Sequence, residues 1–484
     1  MNLEILASPV QFLSRVLDIS PYRERLDADQ AWWNEEGKRI SDSIDHLGTP
    51  WLQMFDQLGA RVDRIFLPSE YEKMLRRGYA SGVLWRAFEE ESLIPSYALI
   101  YNTSFYDPGV CCPYTVSLAT AIAVRKYGSH DLQARFLARL LAKEGLNSQG
   151  ATWMTEIGGG SDLGAAVETI AKLVDGRYVL NGEKYFASNV GAELAVVAAR
   201  PEKAPRNVRG LALFLVPRYR RDGQLNYFIR RLKDKIATRS VPTGEVELRE
   251  SEAYLLGSLD RGIYLILEVL NISRVANSVA SIALAQRAMA EALEFAGHRV
   301  AFGRKILDHP LLRRQFEENL GSLCGGLALA WEAVKLLDDV WREEPAYSER
   351  YHLFRLVAHM AKYWTAELAV RTAKWGMEIH GGLGVLGEYR AERWLREAMI
   401  IAIWEGTSHR QILDGLEVIE RKCAHRLLFK RLEALAPAAT LQEVESFVES
   451  YVNLPGNEKE AGAEAVFRRL AEFTADTLKT GVQW

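Results

Sequence analysis

Residues Thr169–Ser188, reading TIAKLVDGRYVLNGEKYFAS, decide how the chain is divided. Two turn dipeptides, Asp175-Gly176 and Asn181-Gly182, separate short runs rich in β-branched and aromatic residues: Thr169 to Val174, Arg177 to Leu180 and Lys184 to Ser188. Asp-Gly and Asn-Gly supply the positive φ angles that tight hairpins need, so the stretch reads as successive strands. Leu194 to Ala199, Leu211 to Val216 and Glu245 to Leu248 extend the pattern. Strands spaced this closely predict a compact β-domain or barrel over 152–257, starting where Gly158-Gly159-Gly160 breaks any helix.

Both flanks read as helical. Apolar residues recur at three and four spacings in Tyr71 to Arg86 and Tyr114 to Tyr127, and Gly128 stands where a left-handed helix cap is expected. A helix over Leu132 to Ala142 follows, and the helical region ends near Gly145. Beyond the β-domain, Ile263 to Arg299, Leu311 to Arg342, Tyr351 to Ile379 and the segment after Glu405 predict an antiparallel four-helix bundle. The expected fold class is α+β multidomain: a helical extension (1–45), an all-α domain (46–151), the β-barrel (152–257), the four-helix bundle (258–420) and a helical tail (421–484) interrupted at Pro455-Gly456. Trp32 and Trp33 are expected to dock the extension onto the body.

Composition excludes several classes of function. Of 484 residues, 48% are hydrophobic and 25% charged, as in ordinary globular proteins. A net charge of -3 gives no electrostatic case for a nucleic-acid binder. Cys111, Cys112, Cys324 and Cys423 form no Cys-x-x-Cys pair, which fits a reducing compartment, and no metal site is expected. The N-terminus lacks the regions of a signal peptide, and no uninterrupted apolar run is long enough to span a membrane. The expected location is the cytoplasm.

Chemistry concentrates in Met399–Gly415, which reads MIIAIWEGTSHRQILDG. Glu405 follows an apolar run directly. Poor solvation against Ile403 and Trp404 raises a carboxyl pKa, which suits a general base near neutrality. Gly406 permits close approach, and Thr407 can cap the next helix. The alternative is a helix N-terminus with an acid beside it. Four other stretches each carry two readings. The Gly-rich turn between Thr155 and Ser161 is either a backbone N–H surface for a ring or phosphates, or a plain loop. Phe186 either lies against a planar cofactor, with Ser188 at its edge, or belongs to the core. Arg299 either pairs with a pyrophosphate or complements a helix C-terminus. The glycines of Gly381-Gly382-Leu383-Gly384 let backbone pass close to a ligand or simply end a helix.

Taken in order, these segments resemble the acyl-CoA dehydrogenase family from about Val116 to Ile419. The likeness includes Lys126 to Ser129, Met154-Thr155-Glu156, Gly160-Ser161-Asp162, Asn181-Gly182 with Lys184, Arg239-Ser240, Thr243, Leu255-Leu256-Gly257, Arg274, Phe302-Gly303, Gly381-Gly382 with Gly384, and Trp404 to Thr407. Val216 to Tyr219, Asp222-Gly223-Gln224, Arg231 to Lys235 and the helical tail are similar to the alkylation-response (AidB-like) branch. The resemblance implies an FAD enzyme of fatty acid metabolism, assembled as a homotetramer, that oxidises an acyl-CoA to the 2,3-enoyl-CoA. Glu405 matches the base that removes the α-proton while a β-hydride passes to flavin N5. Met154, Thr155, Gly160, Ser161, Phe186 and Ser188 match flavin-side positions. Arg299 and Phe302 match residues reaching the adenosine end of FAD in a neighbouring subunit, Gly382 a residue near the pyrophosphate, and Thr407 a cofactor contact. Arg274 matches the nucleotide handle of CoA. Glu378 stands where Gln is usual. Some branches keep the base at the place of Ser273, which is no carboxylate. An electron-transferring flavoprotein is the implied acceptor. The AidB-like branch implies weak dehydrogenase activity with nucleic-acid binding, which a tail without basic excess does not favour.

Overall fold

The computed structural model describes residues 3–143 and 148–484; the expected helical end near Gly145 lies outside them. The chain divides into two compact units. One comprises Asn34–Ser96 and Gly109–Ser273, the other Met1–Trp33, Tyr97–Pro108 and Arg274–Trp484.

The first unit is built on a closed sheet. A separate hairpin, β1 (Trp51–Phe55) and β2 (Arg61–Phe66), lies in the region read as helical throughout. Asp56 makes its turn: Oδ1 accepts from the Leu58 and Ala60 amides at 2.8 and 2.9 Å. The sheet strands are β3 (Gly150–Trp153), β4 (Ile170–Val174), β5 (Arg177–Ser188), β6 (Leu194–Pro201), β7 (Ala212–Pro217), β8 (Phe228–Leu232) and β9 (Thr243–Leu256). β6, β4, β5, β9 and β7 pair in sequence, and β7 returns to β6, which closes the ring. β3 runs along the same edge of β6 as β4, and β8 pairs with β9. Trp153, Leu180, Ala187, Val197, Phe214, Tyr227 and Val246 fill the interior. The helix Cys111–Tyr127 packs on β3, where Ser117 Oγ accepts from the Gly150 amide at 2.9 Å and Thr120 Oγ1 donates to the Ala151 carbonyl at 3.1 Å.

Two turn readings change. Asp175-Gly176 is the expected hairpin, joining Val174 to Arg177 across β4 and β5. Asn181-Gly182 is not a turn: β5 runs straight through it with a register shift. Gly182 has φ +152°, and a Cβ there would lie 2.5 Å from Thr169 Oγ1, so close approach to Thr169 demands the glycine. Gly128 ends its helix in an extended conformation, with φ -77°. Its requirement is space, since a Cβ would lie 2.5 Å from the Val124 carbonyl oxygen.

The second unit is helical. Gly262–His298 (from Arg274 onward), Pro310–Val340, Glu349–Ile379 and Ser408–Lys422 correspond to the four expected bundle helices. Ala391–Ile403 is an additional helix, and the tail forms Ala424–Leu432, Ala438–Val452 and Gly456–Thr480. Glu349–Ile379 is central, packed by Pro310–Val340, Ala391–Ile403, Ser408–Lys422 and Gly456–Thr480. The tail is tightly seated: a Cβ on Gly415 would lie 2.3 Å from the Phe467 ring. Trp33 is buried, stacked on Tyr106 at 5.3 Å, as expected of a docking residue. Leu259–His298 and Pro310–Val340 are long and apolar enough to cross a membrane by length and composition, unlike the sequence expectation. Most of each is buried within the fold, as in core helices.

Candidate functional site

The helix Ala391–Ile403 delivers Glu405. It ends at Trp404, which is extended; Glu405 is left-handed at φ +58° and Gly406 follows at φ +103°. A left-handed non-glycine residue costs about 1–2 kcal/mol, so this turn needs external support. Arg274 Nε and Gln411 Nε2 donate to the Glu405 carbonyl at 3.2 and 3.1 Å. Gln411 Nε2 also reaches the Gly406 carbonyl at 3.2 Å. Lys362 Nζ donates to the carbonyls of Ala402 and Gly406 at 2.9 and 2.7 Å. His359 Nδ1 lies 2.9 Å from Gln411 Oε1, which can only accept, so that nitrogen carries the proton. Asn277 Nδ2 holds the Ile401 carbonyl at 3.0 Å.

Burial pushes the Glu405 carboxyl up to about 7, against the opposing pull of Arg274 and Lys362. The expected cause was contact with Ile403 and Trp404. Ile403 is 60% exposed, whereas Trp404 is half-buried. Arg274, expected at the CoA handle, is buried, and its guanidinium serves the Glu405 carbonyl and Asp414 Oδ2, the latter at 3.3 Å. Arg410 Nε holds the other Asp414 oxygen at 2.9 Å. Lys362, His359 and Gln411 were not found in the sequence. Their signal is a cation and an imidazole inside the otherwise apolar run Val357 to Ala366, with Gln411 one turn into the following helix.

Thr407 occupies the cap position of Ser408–Lys422, yet its hydroxyl makes no capping bond. Arg299 and Phe302 lie at the hairpin after Gly262–His298. Phe302 is 96% exposed with φ +51°, and Arg299 is exposed. Gly382 is exposed, with open space around its Cα. Glu378 turns to Lys374 on its own helix, 2.5 Å away.

In the other unit, a buried pair anchors the Gly-rich loop. Lys184 Nζ meets Glu156 Oε1 at 2.6 Å and the Ala198 carbonyl at 2.8 Å. Glu156 also accepts from the Thr169 hydroxyl at 2.6 Å and the Glu168 amide at 2.7 Å. The anchored loop presents Thr155 half-buried, Ser161 exposed and Met154 largely buried. A Cβ on Gly160 would lie 2.6 Å from Thr155 Oγ1. On β5, a register shift between Lys184 and Ala187 turns both of these inward and leaves Phe186 54% exposed, so Phe186 is not core. Lys235 Nζ donates to Thr243 Oγ1 at 3.0 Å, and Thr243 Oγ1 lies 3.3 Å from Ser188 Oγ. Either hydroxyl of the Ser188–Thr243 pair can donate to the other. An exposed flat ring, an outward hydroxyl and a Gly-bearing loop fit a planar cofactor with polar edges. No group of metal-ligating side chains occurs among the described residues.

Comparison with known proteins agrees with this layout. The model for the acyl-CoA dehydrogenase C-terminal domain matches 260–419, that for the middle domain 151–251, and the adaptive response protein AidB N-terminal domain 41–144. Acyl-CoA dehydrogenase family member 11 of Caenorhabditis elegans is 31% identical over 446 residues, covering 87% of this chain and 71% of the relative. The chain belongs to the acyl-CoA dehydrogenase family. The AidB match places it with the AidB-like branch of that family, and as a member it is an FAD flavoprotein oxidoreductase. Among solved structures, one described as Bd2924 apo-form superposes with a TM-score of 0.89 at 26% identity, covering 99% of this chain and 98% of the other. Caenorhabditis elegans ACDH-11 in complex with C11-CoA gives 0.82 at 27% identity, covering 96% and 85%.

Proposed function

We propose that the protein is an FAD-dependent dehydrogenase that converts an acyl-CoA thioester to its 2,3-enoyl-CoA, with Glu405 as the base. The observation that carries this reading is a carboxylate on a strained, heavily supported turn with its pKa near 7. Such a group is about half ionised at neutral pH and basic enough to take an α-proton. The Glu405 N–H has no main-chain acceptor among the described residues, and it can donate to the thioester carbonyl as enolate charge develops there. The α C–H proton goes to Glu405, the β C–H leaves as hydride, and the electron pair of the α C–H bond forms the new double bond. Bound FAD supplies the acceptor for that hydride. Phe186, Ser188, Thr155, Met154, Gly160 and Ser161 form the flavin-side surface; Arg299, Phe302, Gly382 and Thr407 serve the remainder of the cofactor. The exposed Phe302 ring suits a contact supplied to a second copy in a homotetramer. An electron-transferring flavoprotein is the proposed electron acceptor, and the cytoplasm the proposed location.

The C11-CoA complex of ACDH-11 supports thioester substrates. The test is anaerobic titration of the FAD-loaded protein with acyl-CoA thioesters of graded chain length. Bleaching of the flavin by one chain class supports the reading; a flavin left oxidised by every thioester overturns it. The match to the AidB N-terminal domain favours a second reading, in which nucleic-acid binding dominates. Against it, three basic residues of the stretch that resembles that branch and its surroundings are ion-paired: Arg230 with Glu183, and Arg231 and Lys233 with Glu245. Retention on duplex DNA that falls steeply with salt would support that second reading.

A further inference from the structure

We infer that Lys362 is the positioning residue of Glu405: its ammonium clamps the carbonyls on either side of the base and favours the carboxylate over the acid. The inference rests on Glu405 being the base.

The geometry is unusual for a lysine. Lys362 is fully buried in the middle of the helix Glu349–Ile379. Its Nζ spans Ala402, in the last turn of one helix, and Gly406, directly after Glu405. Last-turn carbonyls have no partner within their own helix, so Ala402 needs an outside donor. One cation thus ties down both ends of the segment that holds the left-handed residue.

The charges around Glu405 come from three helices. Gly262–His298 brings Arg274, Glu349–Ile379 brings Arg355, His359, Lys362 and Glu367, and Ser408–Lys422 brings Arg410 and Asp414. Glu367 accepts from the Ser408 hydroxyl at 2.5 Å. Arg274 and Arg410 are both paired with Asp414. Burial drives the His359 imidazole down to about 3, so it is neutral. Among the described residues Lys362 has no ion pair of its own, and together with Arg274 its charge opposes the effect of burial on Glu405. Burial first, and Arg274 second, bring Lys362 itself down to about 7. The two groups therefore titrate together, and their apparent values belong to the pair.

The experiment measures the rate of anaerobic flavin reduction by acyl-CoA against pH, in holoenzyme carrying Lys362→Met, Lys362→Arg, Lys362→Gln or Glu405→Gln. FAD occupancy and melting temperature verify each fold. In Lys362→Met the rising limb is expected to move up by about one pH unit, the scale of one lost neighbouring charge, so the rate at pH 6 falls about tenfold. Lys362→Arg restores the limb. An unmoved limb in folded Lys362→Met, or equal displacement in the Met and Arg variants, overturns the inference. Should Lys362→Met fail to hold FAD, Arg against Gln decides: a limb displaced only in Gln supports the role of the charge, and coincident limbs refute it. An undiminished rate in Glu405→Gln is a different failure, because it removes the base and not the clamp.

Discussion

Arg274 Nε donates to the main-chain oxygen of Glu405 at 3.2 Å while the same guanidinium reaches Asp414 Oδ2 at 3.3 Å. The base is thereby held through its backbone by a residue whose charge also favours the ionised carboxylate. Removing one partner of a buried ion pair costs about 3–5 kcal/mol, and Arg410 still serves Asp414 here. Arg274→Met should therefore lose about 3 kcal/mol of stability, the low end of that range. It should also slow flavin reduction, because the Glu405 turn loses a donor. Thermal unfolding and stopped-flow absorbance check the two effects; an unaltered melting temperature would show that the pair carries no stability.

Glu405→Gln keeps the shape of the turn and removes the proton acceptor. Flavin reduction by acyl-CoA is expected to fall by about 10²- to 10⁴-fold, with FAD occupancy unchanged. Rapid-mixing spectroscopy at saturating thioester checks this outcome.

The raised Glu405 pKa also makes a statement about stability. An acid whose folded pKa lies above its unfolded value contributes stability that is complete below the unfolded value and is lost as pH rises through the folded one. With the folded value at about 7, the loss extends from near pH 4.5 to above pH 7. Glu405→Gln lacks that titration. Its melting temperature should rise relative to the parent protein by about 2 °C or more on going from pH 5 to pH 8. Paired thermal melts at the two pH values measure it, and a constant difference would refute the assigned pKa.

Phe302 stands almost wholly in solvent at the hairpin tip. Phe302→Ala should leave the stability of the apoprotein within about 0.5 kcal/mol, as for other surface positions. If its ring serves the cofactor, FAD dissociation should accelerate, and likewise in Arg299→Ala. Fluorescence of released flavin after dilution measures the rate. Unchanged release in both variants would remove this hairpin from the cofactor site.

Much of the fold was legible because its signals are local. The Asp175-Gly176 hairpin, the apolar strands at 194 and 212 and the long amphipathic helices announce themselves within a few residues. Asn181-Gly182 misled because the same dipeptide serves a turn or a bulge, and only the nearness of Thr169 selects the bulge. The β1–β2 hairpin escaped notice because its turn is made by the Asp56 side chain rather than by a typical turn dipeptide. At the site, Glu405 drew notice from the apolar run that precedes it. Lys362, His359 and Gln411 did not, because a buried polar residue on a helix looks like any other until the turn that it holds is known. Phe186 escaped from the core through a strand irregularity that alternation alone does not reveal.

Glu156 and Lys184 constrain how this protein can change over generations. Both side chains are almost completely enclosed, and each is the other's compensating charge. An apolar pair in their place could be equally stable, yet every single-substitution route to it passes through an isolated buried ion, a step that costs about 3–5 kcal/mol. Descendants of this sequence are thus confined to keeping the pair or replacing both members at once. The loop that it anchors inherits the same immobility, while the exposed Ile157 beside it is free to drift.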